Sequence, residues 1–242
     1  MLTPIKVAFG GVIGEFYASL VPVPASLQEF ISRGLAKAVA WAPSRMVDAA
    51  EEMLAAWQRN DTDGAPTQPA KLPVILVAMS KDSMPTGRDY TRQIADPVPI
   101  IMTDDPDERV FEVRTIATDI RAQIVIFAHD EPTAGSIAKQ LALYLDAVDS
   151  RTFYAEYAHA GMTEAWPVHI QLPDSPGQSV ATDVKNLTIL AIDLTLQATI
   201  PLYTAPADTA PNDGQGTDGD PSDPHGYPVV TDDAVIAAEI VA

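Results

Sequence analysis

The sequence predicts an α+β fold, with an antiparallel β-sheet and one helix packed on one face in a β-β-α-β-β core. Two long stretches, 116–128 and 184–200, alternate apolar and polar side chains, which is the period of a half-buried strand. Between them, residues 131–148 place apolar side chains at helical spacing. A helical region is predicted before this core and a disordered acidic tail after it.

Residues 1–60 are predicted to form an N-terminal helical region. Two apolar stripes at helical spacing run over 27–39 and 46–57, and Ser26 and Glu29 have the spacing of a capping box before the first. We expect "GGVIG" (10–14) to be a turn or helix breaker, because no Lys-Ser/Thr follows it as in a phosphate loop. The apolar start lacks a basic segment and is interrupted by Glu15, so we expect mature structure rather than a signal peptide. Residues 61–71 are predicted to be a linker.

Residues 72–203 are predicted to form the α+β domain. Short strands are expected at 72–80 and 98–103, with an exposed polar loop at 80–97 between them. The sequence "DEP" (130–132) has the acids and proline that begin a helix. Two further strands are expected at 166–172 and 184–200. The polar face of the sheet is predicted to carry Asp119, Arg121, Gln123, Asp193, Thr195 and Gln197.

Residues 204–242 are predicted to be an extension that remains solvated. Residues 204–233 hold seven Asp, many Pro and Gly, and no Lys or Arg, and the apolar peptide "AVIAAEIVA" (234–242) follows.

The whole chain has a net charge of −18, and residues 152–242 hold 13 acids against Lys185, a net charge of −12. Such a chain lacks the clustered cations that bind nucleic-acid phosphates, so we expect no specific nucleic-acid binding. No apolar run reaches the ~18 residues of a membrane span, and the chain has no cysteine, which favours a reducing cytosol.

The sequence contains only weak matches to catalytic, cofactor-binding and metal-binding motifs, so we predict no catalytic residue, no cofactor and no metal. The four histidines stand outside metal-ligand spacings, and "DDPDE" (104–108) lacks the register of a calcium loop. A cluster of His129, Asp130 and Glu131 could be drawn as catalytic, but a helix start explains the two acids.

The segment from Val98 to Pro201 resembles the tail-terminator family of tailed bacteriophages. The resemblance is carried by "VRTIATDIRAQIVIFAHDEPTAGSIAKQLALYL" (113–145), a long strand and then a helix with Asp130, Ala134, Ile137 and Ala138 in the pattern of that family. It implies an antiparallel sheet, a helix across one face, and a ring, in this family a hexamer, that caps the tail tube and joins tail to head. The partners implied are tail-tube, sheath or neck proteins, and the location implied is the virion, after assembly in the host cytoplasm.

A subunit contact is predicted on the polar sheet face and the 80–97 loop, where Arg88 and Arg92 lie; a simple solvated face is the alternative. For function, the alternatives are a collar or baseplate component, a non-viral protein-binding module, and a hydrolase that uses His129.

Overall fold

The computed structural model describes residues 2–23, 25–42, 50, 52, 54–55, 72–86, 94–101, 110–159, 162–171, 177–182 and 186–204. The helices with defined bounds in these residues are α1 (Thr3–Ser19), α2 (Ala25–Ser32), α3 (Leu35–Ala38), α4 (Glu131–Asp146) and α5 (Val148–Arg151). Eight strands accompany them: β1 (Val39–Trp41), β2 (Val74–Pro85), β3 (Val98–Ile101), β4 (Val110–Ala128), β5 (Thr152–His159), β6 (Met162–Gln171), β7 (Gln178–Val180) and β8 (Thr188–Thr204).

The strands form one sheet in the order β1-β2-β4-β8-β6-β5. Its centre is the antiparallel pair β4–β8, whose register runs unbroken from Glu112 opposite Thr204 to Ala128 opposite Thr188. β2 and β3 pair with the edge of β4 that faces away from β8. β6 and β7 pair with the edge of β8 that faces away from β4. Every pair is antiparallel except β1–β2. The predicted α+β class, an antiparallel sheet with a helix on one face, is therefore confirmed.

The main core lies between one face of the sheet and the helices α1 and α4. Ile120, Ile124 and Leu196 of the central strands are almost fully buried there, as are Ile137 and Leu141 of α4. Asp130 begins α4 as predicted, since its carboxylate accepts a hydrogen bond from the Thr133 amide at 2.8 Å and Pro132 lies in the first turn. Burial of these apolar side chains, at ~1.5–3 kcal/mol each, holds the helix on the sheet.

The prediction for "GGVIG" is wrong, because Gly10, Gly11 and Gly14 lie inside α1, as does the preceding "IKVAF". Three helical glycines cost roughly 3 kcal/mol relative to alanine. Burial of Phe9, Phe16 and their apolar neighbours on the same helix outweighs that cost, because Phe9 is 0% and Phe16 is 1% exposed. Tertiary packing thus overrides local propensity.

The helix predicted over 27–39 is also wrong in its second half. Gly34 adopts φ 80° and ψ 155°, which ends the helical path and separates α2 from α3. Val39 then begins strand β1, so the region 1–60 is not wholly helical. Ser26 does not precede the helix as a capping box requires; it lies within α2, and its Oγ is 2.6 Å from Oγ1 of Thr133. α1 to α3 contribute to the same core as the sheet.

Two strand predictions also need correction. The first six residues of the predicted 80–97 loop belong to β2, which continues to Pro85. β5 was not predicted at all, although Ala155 and Tyr157 alternate with exposed residues in it. Strands are confirmed at all five predicted places, 72–80, 98–103, 116–128, 166–172 and 184–200, but the first begins at Val74 and the last at Thr188. The linker 61–71, most of the stripe at 46–57, "DDPDE" and the segment 205–242 lie outside the described residues.

The candidate subunit-contact surface

The six predicted polar residues of the two central strands lie together on the sheet face opposite α4. The register of β4 and β8 makes them three directly opposed pairs: Asp119 with Gln197, Arg121 with Thr195, and Gln123 with Asp193. Alternation places every second residue of each strand on this face, and antiparallel pairing brings the two sets level. We call these six residues the polar surface.

Asp193 joins two of the three pairs, because one of its oxygens accepts hydrogen bonds from both Arg121 and Gln123. Nη2 of Arg121 lies 3.2 Å from its Oδ1, and Nε2 of Gln123 lies 3.0 Å from the same atom. The Arg121 and Asp193 side chains are 48% and 45% exposed, so water screens their charge interaction. Gln123 is only 5% exposed, so its amide depends on Asp193 far more than the arginine does.

Buried acceptor oxygens are a second property of this face. Oδ1 of Asp119, Oε1 of Gln123 and Oγ1 of Thr199 are buried and have no hydrogen-bond partner among the described residues. An unpaired buried polar group costs ~1–3 kcal/mol. Because these atoms are buried, a partner chain reaches only the exposed groups of this face, such as Arg121 and Asp193.

A bulge in β2 borders the polar surface. Met79 pairs with Ala122 and Ser83 with Ile120, so three residues of β2, 80–82, stand opposite one residue of β4, Arg121. The extra residues stand beside Arg121 and form one wall of a depression of about 430 Å³. Ser80, Asp82 and Met84 line it from β2, and Met84 is 72% exposed. An exposed methionine beside hydrogen-bonding groups is a combination found in protein contacts.

The polar row continues onto β6, where His169 stands opposite Gln197 and Gln171 opposite Thr195. Nδ1 of His169 is 3.2 Å from Oγ1 of Thr152 on β5. Alternation in "WPVHIQ" marks both residues as outward-facing. Nothing in the sequence predicts that Ser80, Asp82 and Met84 of β2 border the polar surface. The bulge that directs them toward it arises only when β2 pairs with β4.

The polar surface is bounded at one end by a second apolar core. Val125 and Phe127 turn to the outer face and pack in a cluster that includes Ala50 and Leu54. At the other end, Phe111 and Tyr203 pack against the ring of His159. The open part of the outer face is therefore confined to the middle of β4 and β8.

Burial raises the pKa of two tyrosines, Tyr157 and Tyr203, at the end of the sheet where His159 lies. Burial, with a smaller contribution from repulsion by Tyr203, raises the pKa of Tyr157 to about 12. Burial also raises the pKa of Tyr203 to about 12, against an opposing hydrogen bond from Nε1 of Trp166 at 2.6 Å. Both hydroxyls are protonated at neutral pH, so this cluster acts as packing rather than as an acid or base.

The remaining sequence candidates do not assemble into a chemical site over the described ranges. His129 is exposed, and Asp130 is engaged as the cap of α4. Within the part of the chain that the structure describes, no three His, Cys, Asp or Glu side chains are placed to hold a metal ion. No helix in that part is long and apolar enough to cross a membrane. Arg88 and Arg92 fall outside the described residues.

Comparison with known proteins gives no match, either to protein-family models or to curated proteins.

Proposed function

We propose that the protein is a structural subunit of a phage tail or neck that forms a ring through its polar surface, caps the tail tube and joins tail to head. The observation that carries the proposal is the set of three opposed polar pairs on β4 and β8, with the helices packed on the other face. The resemblance of residues 98–201 to tail terminators supplies the class of assembly. The proposed role is structural, not enzymatic.

The chemistry of this surface suits a contact between copies. It offers the exposed donor Arg121 and the exposed acceptor Asp193. Interfaces of non-obligate assemblies are about as polar as ordinary surface and use about one hydrogen bond per 100–200 Å². A closed ring needs two different surfaces on each subunit, so the polar surface would meet another face of the next copy.

The charge of the chain fits the same role. With a net charge of −18, the protein repels DNA, which suits a conduit through which DNA passes without adhering.

A protein-binding module is the second candidate, and the depression beside the β2 bulge favours it. Its lining combines the exposed Met84 with Asp82, Arg121 and Asp193, which would suit a side chain of a protein ligand.

The test is the mass of the purified protein by light scattering, together with negative-stain microscopy. We expect rings of about six subunits, as the resemblance implies. The variant Thr195→Arg places a bulky cation in the middle of the polar surface and should abolish rings while circular dichroism stays unchanged. The matched control Thr163→Arg, at an exposed position of β6, should keep them.

Two results would count against the proposal. Rings that survive Thr195→Arg would remove the polar surface from the contact. A monomer by both methods would contradict a self-assembled ring and favour the binding module, and co-sedimentation with purified phage tail tubes would then decide between a module and a ring that closes only on the tube.

A further inference from the structure

An apolar groove lies on the helical side of the molecule, away from the polar surface. It has a volume of about 330 Å³ and is formed by α1, α3 and the strands β1 and β2. Leu35, Val39, Trp41 and Val77 line it, and Leu35 is 43% exposed. All its lining residues are apolar or glycine, so a ligand that binds in the groove would be apolar.

Gly10 keeps the groove open on the side of α1. A Cβ at that position would stand 3.6 Å from the Trp41 ring, which is ordinary contact, so a larger side chain there would fill the space. On the other side, β1 is the last strand in the order of the sheet as far as the described residues show it. An edge strand beside an apolar groove is a place where an extended peptide can add.

Lys6 and Lys37 lie on the two helices that form the groove, α1 and α3, and we call these two side chains its cationic rim. They stand out in a strongly acidic chain, since residues 2–42 contain Lys6, Arg33 and Lys37 against Glu15 and Glu29, a net charge of 3 − 2 = +1. Nζ of Lys6 lies 4.8 Å from the centroid of the Trp41 ring. Lys37 is exposed on α3, two residues after Leu35.

One segment of the chain has the matching chemistry. Residues 205–242 carry seven Asp and Glu239 and no Lys or Arg, a net charge of −8. Within them, 234–242 reads "AVIAAEIVA", in which eight of nine residues are apolar. The segment thus combines an apolar peptide with an acidic approach, and the groove combines an apolar floor with a cationic rim.

The segment can reach the groove from the end of β8. Val77 is level with Ile124 and therefore with Ile192 of β8, twelve residues before Thr204. That is about 40 Å along the strand. The 29 residues from 205 to 233 have an r.m.s. span of about 30 Å as a coil and a limit of about 95 Å when extended.

We propose that the groove between α1, α3 and β1 binds residues 234–242 of the same chain, with the acidic residues before them lying along the cationic rim. This contact does not depend on ring formation. It would cover Leu35 and the open side of the Trp41 ring, and it would keep an apolar peptide from associating with other copies before assembly.

The chain lacks cysteine, which permits a direct test by disulfide trapping in the full-length protein. Leu35→Cys combined with Ile236→Cys should form an intrachain disulfide under mild oxidation, since a disulfide requires Cβ atoms within ~3.5–4.5 Å. The matched control pairs Ile236→Cys with Leu143→Cys, at a 73% exposed position on α4. We expect the groove pair to react at least roughly tenfold faster than the control pair.

Equal rates of disulfide formation in the two pairs would overturn the proposal, because they would show that residues 234–242 do not prefer the groove. Disulfides found only in dimer bands would also overturn it, in favour of a second copy as the occupant. Ring formation is measured separately by mass, so its failure is distinguishable from failure here.

A second comparison separates the apolar and ionic contributions. Ile240→Asp in the groove pair should slow trapping about tenfold, whereas Val230→Asp, the same chemistry outside 234–242, should leave the rate unchanged. Lys37→Gln should slow it about twofold and Lys139→Gln, on α4, should not. If Ile240→Asp has no effect, the peptide is not held by its apolar residues and the proposal is wrong.

Discussion

Asp193→Ala tests which interaction of Asp193 stabilises the protein more: the hydrogen bond from the buried amide of Gln123 or the exposed ion pair with Arg121. The exposed pair of Arg121 and Asp193 is worth ~0–1 kcal/mol after screening. The hydrogen bond from Gln123 goes to a charged acceptor and its donor is 5% exposed, so its loss costs ~1.5–3 kcal/mol. We therefore expect Asp193→Ala to lower the free energy of unfolding by ~2–3 kcal/mol, and Arg121→Ala by less than ~1 kcal/mol.

Urea unfolding followed by tryptophan fluorescence measures both variants, with Glu156→Ala at an exposed position of β5 as control. The control should stay within ~0.5 kcal/mol of the parent. In 1 M NaCl the effect of Arg121→Ala should shrink, while that of Asp193→Ala should largely remain. Adding Gln123→Leu to Asp193→Ala should recover at least about half of the loss, because the orphaned amide is removed. Equal losses for Asp193→Ala and Arg121→Ala would refute this reasoning.

Three further predictions concern the packing that holds the sheet and its helix. Tyr157→Phe should leave stability at pH 8 unchanged or higher, because the buried hydroxyl has no described partner, whereas Tyr203→Phe should cost ~1–3 kcal/mol by leaving Nε1 of Trp166 without its acceptor. Because burial raises both folded pKa values to about 12, ionisation of these tyrosines leaves stability unaffected below pH 10 and lowers it as the pH rises from 10 to 12, where the unfolded chain loses these protons first. Urea midpoints at pH 8 and 11 should therefore differ less in Tyr157→Phe than in the parent. Asp130→Ala should cost ~1 kcal/mol and Asp130→Asn much less, since asparagine is an equally good cap; similar losses in thermal melts would contradict the capping role. Gly135→Ala should add ~0.5–1 kcal/mol, because a Cβ at this position of α4 meets nothing within 4 Å; a destabilised variant would count against the helix as described.

Alternation is a local property, and it was enough to assign the sides of the two central strands. Asp119, Arg121 and Gln123 face outward because adjacent residues of a strand point to opposite sides, whatever the partner. The start of α4 was likewise readable, since a capping aspartate followed by proline acts on its own first turn. Neither inference needed contacts distant in sequence.

The glycines of α1 show where local reasoning failed. Gly10, Gly11 and Gly14 disfavour a helix by themselves, and only burial against the sheet makes the helix the stable choice. Gly34 shows the reverse, since the apolar spacing around it continues at helical intervals while its positive φ breaks the helix. Hydrophobic spacing reports which side chains are buried, not whether the backbone between them is continuous.

The α+β class, the long central strands, the capped helix and the polar residues of the outer face follow from local patterns in the sequence. The tertiary structure sets the three opposed pairs and the hydrogen bonds that join two of them at Asp193, because the register depends on how β4 and β8 align along their whole length. It also decided the bulge of β2 and the groove beside Trp41, since both arise from pairing and packing between segments far apart in the chain. Periodicity fixes a side chain's direction locally, whereas its neighbours across the fold are set by burial of the whole core.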